Sequence, residues 1–307
     1  MTYEEVRGDR RKFLALTGLT PSAFELLLGS FARSSESRHP TDRTSAGRPR
    51  QRRAGGGRKG ALPGPQQKLW VLLVYLKTDP LQVVMGELFG LSQPGGNYWL
   101  RRLLPVLRDA LDDLSVLRER DPRAFGQARP PRGRRPRLII DGTERRRQRP
   151  KNPEKQAAHY SGRKKIPGDK NVVVVEAGGK RVGYLSGTYA GRAPDKGIAE
   201  HEGIVYPPGT VLYKDSGSQG YEPAGTQTRQ PKKKAAGREL TAAEKRANRK
   251  PGRIRVRVAH ALAGVKRCRI VKDPLRNTAE DVSDSAMEAA CGLHNLRAEK
   301  RKRRPKL

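Results

Sequence analysis

Apolar residues recur at helical spacing near the N-terminus: Phe13, Leu14 and Leu16, then Phe24, Leu27, Leu28 and Phe31. Such spacing lines one side of a 3.6-residue helix, and Thr20-Pro21 has the form of an N-cap with a first-turn proline, so residues 1–33 are predicted to be a small helical segment. Residues 34–64 turn to Ser, Arg, Gly and Pro with almost no large apolar side chain, which predicts a basic linker. Helical spacing resumes at Pro65. Leu81–Phe89 and Asn97–Leu114 are predicted as two helices either side of a tight turn, Gly90-Leu91-Ser92-Gln93, within a helical domain over 65–120. The Gly86/Gly90 spacing suits that turn, because a small residue lets two helices approach and glycine tolerates positive φ. A second basic linker is predicted over 121–136.

From Arg137 the pattern changes to short β-rich runs: Leu138-Ile139-Ile140, Val172–Val175, Val182–Leu185 and Val211-Leu212-Tyr213. Helical stretches follow over Arg253–Val271 and Glu280–Lys302. Three strands, a helix, a strand and then helices predict an α/β domain over 137–300 of the kind an RNase-H-like fold would show, a pattern other mixed-sheet folds share. Residues 301–307 form a basic tail.

Charge narrows the partner. The 307 residues carry 65 Lys+Arg against 31 Asp+Glu, a formal charge of +34. An excess of that size calls for a polyanion, and nucleic acid is the natural one because cations displace its condensed counterions. The longest apolar run, Leu69–Leu76, is far shorter than the ~20 residues that span a bilayer, so no membrane partner is expected. Glu4 and Glu5 and the lack of an apolar h-region argue against a signal peptide, and a cytoplasmic, nucleoid-associated protein is expected. Cys268 and Cys291 show no metal-ligand spacing and are expected to be reduced, packed thiols.

Two carboxylates bring chemistry. Asp141 follows Leu138-Ile139-Ile140 and Asp215 follows Val211-Leu212-Tyr213-Lys214, each at the predicted C-terminal end of a buried strand. If the strands are neighbours, the acids converge as two divalent cations about 3.5–4 Å apart require. Mg²⁺ or Mn²⁺ would suit their hard oxygens. An aspartate after a strand is also an ordinary turn residue.

Several blocks occur together: Asp141-Gly142-Thr143-Glu144, Arg149-Pro150, His159-Tyr160-Ser161-Gly162-Arg163-Lys164-Lys165, Asp215 through Tyr221, and Arg255 through Lys266. In order and approximate spacing they resemble bacterial insertion-sequence transposases of the DDE type, closely over 137–300 and more loosely over 65–110, where the two helices resemble a helix-turn-helix. The resemblance implies an RNase-H-like catalytic domain behind a small all-α DNA-binding domain. Asp141 and Asp215 would be the first two acids of the triad and metal ligands. The third, a Glu, should fall in the frame Arg, three residues, Glu, six residues, Lys; Arg255 and Lys266 fit it, and the Glu position holds Ala259. Gly168-Asp169 replaces the usual His-Thr, and Asp195 follows Pro194 rather than His.

Helical geometry agrees with that frame. Ile254, Val258, Ala261, Leu262 and Val265 make an apolar face, and Arg255, Ala259 and Lys266 share a stripe at its border. Glu239 and Glu244 look like exposed positions, with Thr241 and Glu244 forming a capping box. The expected function is transposase cleavage and strand transfer on transposon-end inverted repeats with two Mg²⁺ or Mn²⁺ ions, impaired by Ala259. Gln93, Asn97, Arg101, Arg102, Arg255 and Lys266 are the expected contacts to double-stranded DNA, and the resemblance implies a homodimer or higher assembly on it. The alternatives are a non-catalytic, repressor-like DNA-binding protein derived from a transposase, and an RNA-binding protein using tails such as Arg297–Lys306. Against the latter, an aromatic content of 5% offers few stacking platforms.

Overall fold

Leu69–Leu76 is buried on every side, which a helix achieves only at the centre of a bundle. It lies in α4 (Gly64–Thr78), which shares one unit with α1 (Tyr3–Val6), α2 (Arg10–Thr17), α3 (Pro21–Arg38), α5 (Gln82–Phe89) and α6 (Gln93–Asp113). Around Trp70, Phe13 and Phe24 meet edge-on at 5.2 Å and Tyr3 stacks on Phe24 at 5.1 Å. The computed structural model describes residues 1–44, 47–51, 61–128, 135–178, 181–232, 234, 239–277 and 279–302. The chain divides into two units, Met1–Leu117 with Lys266–Asp273 and Ala279–Leu307, and Arg118–Val265 with Pro274–Thr278.

The first unit departs from the sequence pattern in three places. Helix α3 runs on to Arg38, five residues into the expected linker, because Arg33 pairs with Asp113 and Arg38 with Asp109 on α6. Helix α6 opens at Gln93 rather than Asn97. Ser92 caps it by accepting from the Gly95 amide at 3.2 Å, and Pro94, sitting in the first turn, has no N–H to leave unpaired. The C-terminal helix, Glu280–Lys302, belongs with this unit although the sequence placed it with the α/β domain. Its reason is packing: Gly292 lets it approach so closely that an added Cβ would stand 2.8 Å from Leu111, and Asn295 donates to the Val116 carbonyl at 3.0 Å. Arg297, read as the start of a basic tail suited to RNA, is buried there.

The turn after α5 matches its residues. Gly90 has φ of 65°, and a Cβ at Gly86 would stand 2.5 Å from the Leu91 carbonyl oxygen, so the chain reverses there only over glycine.

The second unit is a mixed sheet with helices. Its elements are α7 (Pro122–Gly126), β1 (Arg137–Arg146), α8 (Pro153–His159), β2 (Tyr160–Ser161), β3 (Ile166–Glu176), β4 (Val182–Leu185), β5 (Tyr189–Ala190), α9 (Asp195–Glu202), β6 (Val211–Tyr213), β7 (Gln227–Arg229) and α10 (Ala242–Val265). The strands run in the order β2-β3-β1-β6-β7, with β4 and β5 also paired to β3. β1 and β3 are antiparallel, whereas β1, β6 and β7 are parallel. Alternation along β1 and β3 sends Leu138, Ile140, Val172 and Val174 into one core with Tyr184, Ile198 and Leu212. On β1 and β6 packs α10.

Two further expectations change here. The predicted linker 121–136 is part of the fold at its start: Asp121 caps α7, and Phe125 enters the core beside Tyr184 and Tyr206. Residues 129–134 lie outside the described ones. Helix α10 begins at Ala242, eleven residues before the predicted start, behind the expected Thr241/Glu244 capping box, and it ends at Val265 rather than Val271.

Candidate active site

The two acids are set by register. β6 pairs with β1 only over Arg137–Ile139, with Ile139 opposite Tyr213. Two residues further along each segment stand Asp141, within β1, and Asp215, just past the end of β6. Asp141 does not end its strand as expected. β1 continues through it to Arg146 because Gly142–Arg146 pairs with Gly168–Val172 of β3. Asp141 is thus held by β3 on one side while β6 has ended on the other.

Asp215 caps a 3-10 turn, Ser216–Ser218, its Oδ1 accepting from the amides of Gly217 at 2.9 Å and Ser218 at 3.0 Å. That leaves Oδ2, which lies 4.0 Å from the Arg255 guanidinium of α10. Asp141 Oδ1 accepts only from its own neighbour's amide, Gly142, at 3.0 Å. Burial, then the negative charges of Asp215 and Asp195, push its carboxyl up from 3.8 to about 6, against a lowering by Arg255. A buried carboxyl made uncomfortable by neighbouring acids is under-neutralised, and hard oxygen donors of that kind suit a divalent cation. Among the described residues, however, no three His, Cys, Asp or Glu side chains stand close enough together to hold one.

The remaining predicted positions separate. Ile254, Val258, Ala261, Leu262 and Val265 form the buried face of α10, as their spacing implied, and Arg255 is half-buried beside Asp215. Ala259 is exposed on the same helix and offers no donor atom. Lys266 falls past the helix end and belongs to the first unit. In that unit too are Gln93, exposed, and Asn97, half-buried with its Oδ1 accepting no hydrogen bond. Arg101 is exposed, and Arg102 lies 6.0 Å from the Tyr98 ring.

Sequence reasoning treated Asp195 and Gly168-Asp169 as departures from a pattern. Asp169 is structural: almost wholly buried, it pairs with Arg147 at 2.9 Å and with His159 at 3.1 Å. Asp195 lies near Asp141, and its charge helps to raise that carboxyl. Its carboxylate rests directly on Gly142, where an added Cβ would stand 2.4 Å from its Cγ. The signal was the Gly in Asp141-Gly142, whose missing side chain makes room for another chain.

A family model described as DDE superfamily endonuclease matches residues 140–295, half of the chain and all of the acid-bearing blocks. No curated protein and no solved structure matches the chain. A mixed sheet that sets Asp141 beside Asp215, together with that match, establishes that this chain belongs to the DDE superfamily of endonucleases.

Proposed function

We propose that the chain is the transposase of an insertion sequence, cutting and joining DNA strands at transposon ends. The observation that carries this reading is the pairing of β1 with β6, which puts Asp141 and Asp215 side by side with Arg255 at 4.0 Å from the second. The strand order, with antiparallel β4, β3 and β1 followed by parallel β6 and β7, supports an RNase-H-like catalytic domain. Divalent Mg²⁺ or Mn²⁺, two ions in the complete site, would supply activation of the attacking water or 3′-hydroxyl and stabilisation of the leaving oxygen. Asp141 and Asp215 would hold them. Arg255, whose buried Nε donates to no acceptor among the described residues, is available to a phosphate.

The domain ahead, residues 65–120, binds duplex DNA in this reading. Its α5, glycine turn and α6 have helix-turn-helix order, with Gln93 and Asn97 at the start of the second helix and Arg101 and Arg102 one turn or two along it. Lys266 adds a phosphate contact, and a homodimer or higher assembly brings two ends together. The net charge of +34 and the DNA substrate favour the bacterial nucleoid as its place of action. Among the described residues no single helix is long and apolar enough to cross a membrane.

Ala259 weakens the site, since α10 offers no carboxylate where the triad needs one. Ala259→Glu should raise Mg²⁺-dependent cleavage of labelled end DNA severalfold or more. Strong cutting by the unchanged protein, with no gain on restoration, would refute the impairment. The exposed alanine also favours a second reading, a repressor-like DNA-binding protein derived from a transposase. That reading predicts sequence-specific binding indifferent to Mg²⁺, and indifferent to Asp141→Asn with Asp215→Asn.

A further inference from the structure

We propose that the groove between α8 and residues 190–194 binds an unpaired nucleotide of a DNA strand, its base stacked on Tyr160 and its phosphate held by Arg192. The proposal rests on the DNA-cutting reading above and adds an unpaired stretch to its duplex substrate.

Tyr160 is anchored on both sides and idle in the middle. His159, before it, pairs with the buried Asp169 at 3.1 Å, and Ser161, after it, donates to Glu144 at 3.0 Å. The Tyr160 ring itself is 44% exposed and meets no other ring, cation or side-chain hydrogen-bond partner among the described residues. A ring so placed adds nothing to the core, and its flat face is the kind of platform on which a base stacks.

The ring opens onto a groove of about 500 Å³, lined also by Pro153, Gln156 and Ala157 of α8, by Gly162 and by Arg192. A second hollow of about 640 Å³ shares Ala157 and Arg192 and extends the groove to Pro194. One wall is locked to the other at the base: the Arg192 amide donates to the Ala158 carbonyl at 3.1 Å, and a Cβ added to Gly191 would stand 2.6 Å from the His159 carbonyl oxygen. At Gly162, by contrast, an added Cβ would meet nothing, so a ligand can approach the backbone there.

Charge selects the occupant. Arg192 is exposed and pairs with no acid among the described residues, and the same holds for Arg163 and Lys165 in the turn after Tyr160. Glu154 is the one acid among the described residues lining the two hollows. Unpaired cations beside an idle ring suit a polyanion that also offers flat faces, which is nucleic acid. Bases within a duplex present only their edges, so this ring can stack only on a base that has left its partner. Tyr160 opens β2, in the same sheet as the acid-bearing strands and separated from β1 by β3.

Fluorescence anisotropy with the full-length protein in EDTA tests this on two labelled DNAs, a blunt duplex and the same duplex carrying a short unpaired flap. The unmodified protein should bind the flapped duplex about tenfold more tightly or better, the worth of a stacked base. Tyr160→Ala should erase that preference and leave affinity for the blunt duplex unchanged, whereas Tyr160→Phe, which keeps the ring, should retain it. Gly162→Leu fills the open wall and should erase the preference too, and it decides the matter should Tyr160→Ala not fold. Arg192→Gln should lower the slope of log affinity against log salt by about 0.7 on the flapped duplex, the share of one single-strand phosphate. If Tyr160→Ala, or in its place Gly162→Leu, keeps the preference, or if the unmodified protein shows none, the groove is overturned and the DNA-cutting reading stands. An RNA flap bound more tightly than the DNA flap overturns the choice of DNA. If neither duplex is bound, the groove and the DNA-cutting reading fall together.

Discussion

Asp141→Asn should make the metal-free protein more stable at neutral pH. In the fold, burial and the charges of Asp215 and Asp195 hold the Asp141 proton up to about pH 6, whereas in the unfolded chain it leaves near 3.8. The folded state therefore binds the proton more tightly. The contribution of this group to stability is full below the unfolded value, falls as pH rises between the two, and is gone above about 6. A difference of that size corresponds to about 3 kcal/mol of strain at pH 7.5. Asparagine keeps the shape of the carboxyl and cannot ionise, so the substitution removes the strain. Thermal unfolding in EDTA should show the variant's midpoint raised by roughly 6–12 °C at pH 7.5, given the usual 2–4 °C per kcal/mol for a unit of this size. At pH 4 the gain should nearly vanish. Mg²⁺ at 100 times its Kd should close most of the gap, since it stabilises the unmodified protein by about 2.7 kcal/mol, and the variant lacks one of the two carboxylates. A variant no more stable than the parent at pH 7.5, or equally more stable at both pH values, would refute the electrostatic account of the site.

Phe125→Ala should cost about 3–5 kcal/mol in urea unfolding, because the ring packs beside Tyr184 and Tyr206 in the core of the α/β unit; a cost below about 1 kcal/mol would return residues 121–128 to the status of linker. Gly86→Ala should destabilise the helical unit by about 1–3 kcal/mol, its Cβ meeting the Leu91 carbonyl, with Gly90→Ala costing about 1 kcal/mol for its positive φ. Arg255→Gln should weaken binding to duplex DNA whatever its sequence and lower the slope of log affinity against log salt by about one. An unchanged slope would remove Arg255 from the DNA contacts.

The acid pair was legible because each acid follows a short apolar run, Leu138-Ile139-Ile140 and Val211-Leu212-Tyr213. What it missed was relational. Asp141 sits within its strand rather than at its end, because pairing of Gly142–Arg146 with β3 depends on residues 22 to 30 positions away. The apolar face of α10 was legible from 3.6-residue spacing, but the helix's early start at Ala242 lies in a Lys/Arg-rich stretch with no such face. The C-terminal helix was legible as a helix and not as a partner of α6, since an amphipathic pattern says that a face is buried and not against what. The contact of Asp195 with Gly142 was invisible too: nothing in Ala193-Pro194-Asp195 says that Gly142 would lie beneath it.

The central claim is that Asp141 and Asp215 form a metal-dependent strand-cutting site whose missing partner on α10 is a glutamate. The direct measurement is single-turnover cleavage of a labelled duplex carrying the inverted repeat that flanks the gene, using Ala259→Glu alone and combined with Asp215→Asn. The account predicts Mg²⁺-dependent cutting by Ala259→Glu, above that of the unmodified chain, and its loss by several orders of magnitude when Asp215→Asn is added. Cutting that survives Asp215→Asn, or that proceeds equally in EDTA, would contradict it.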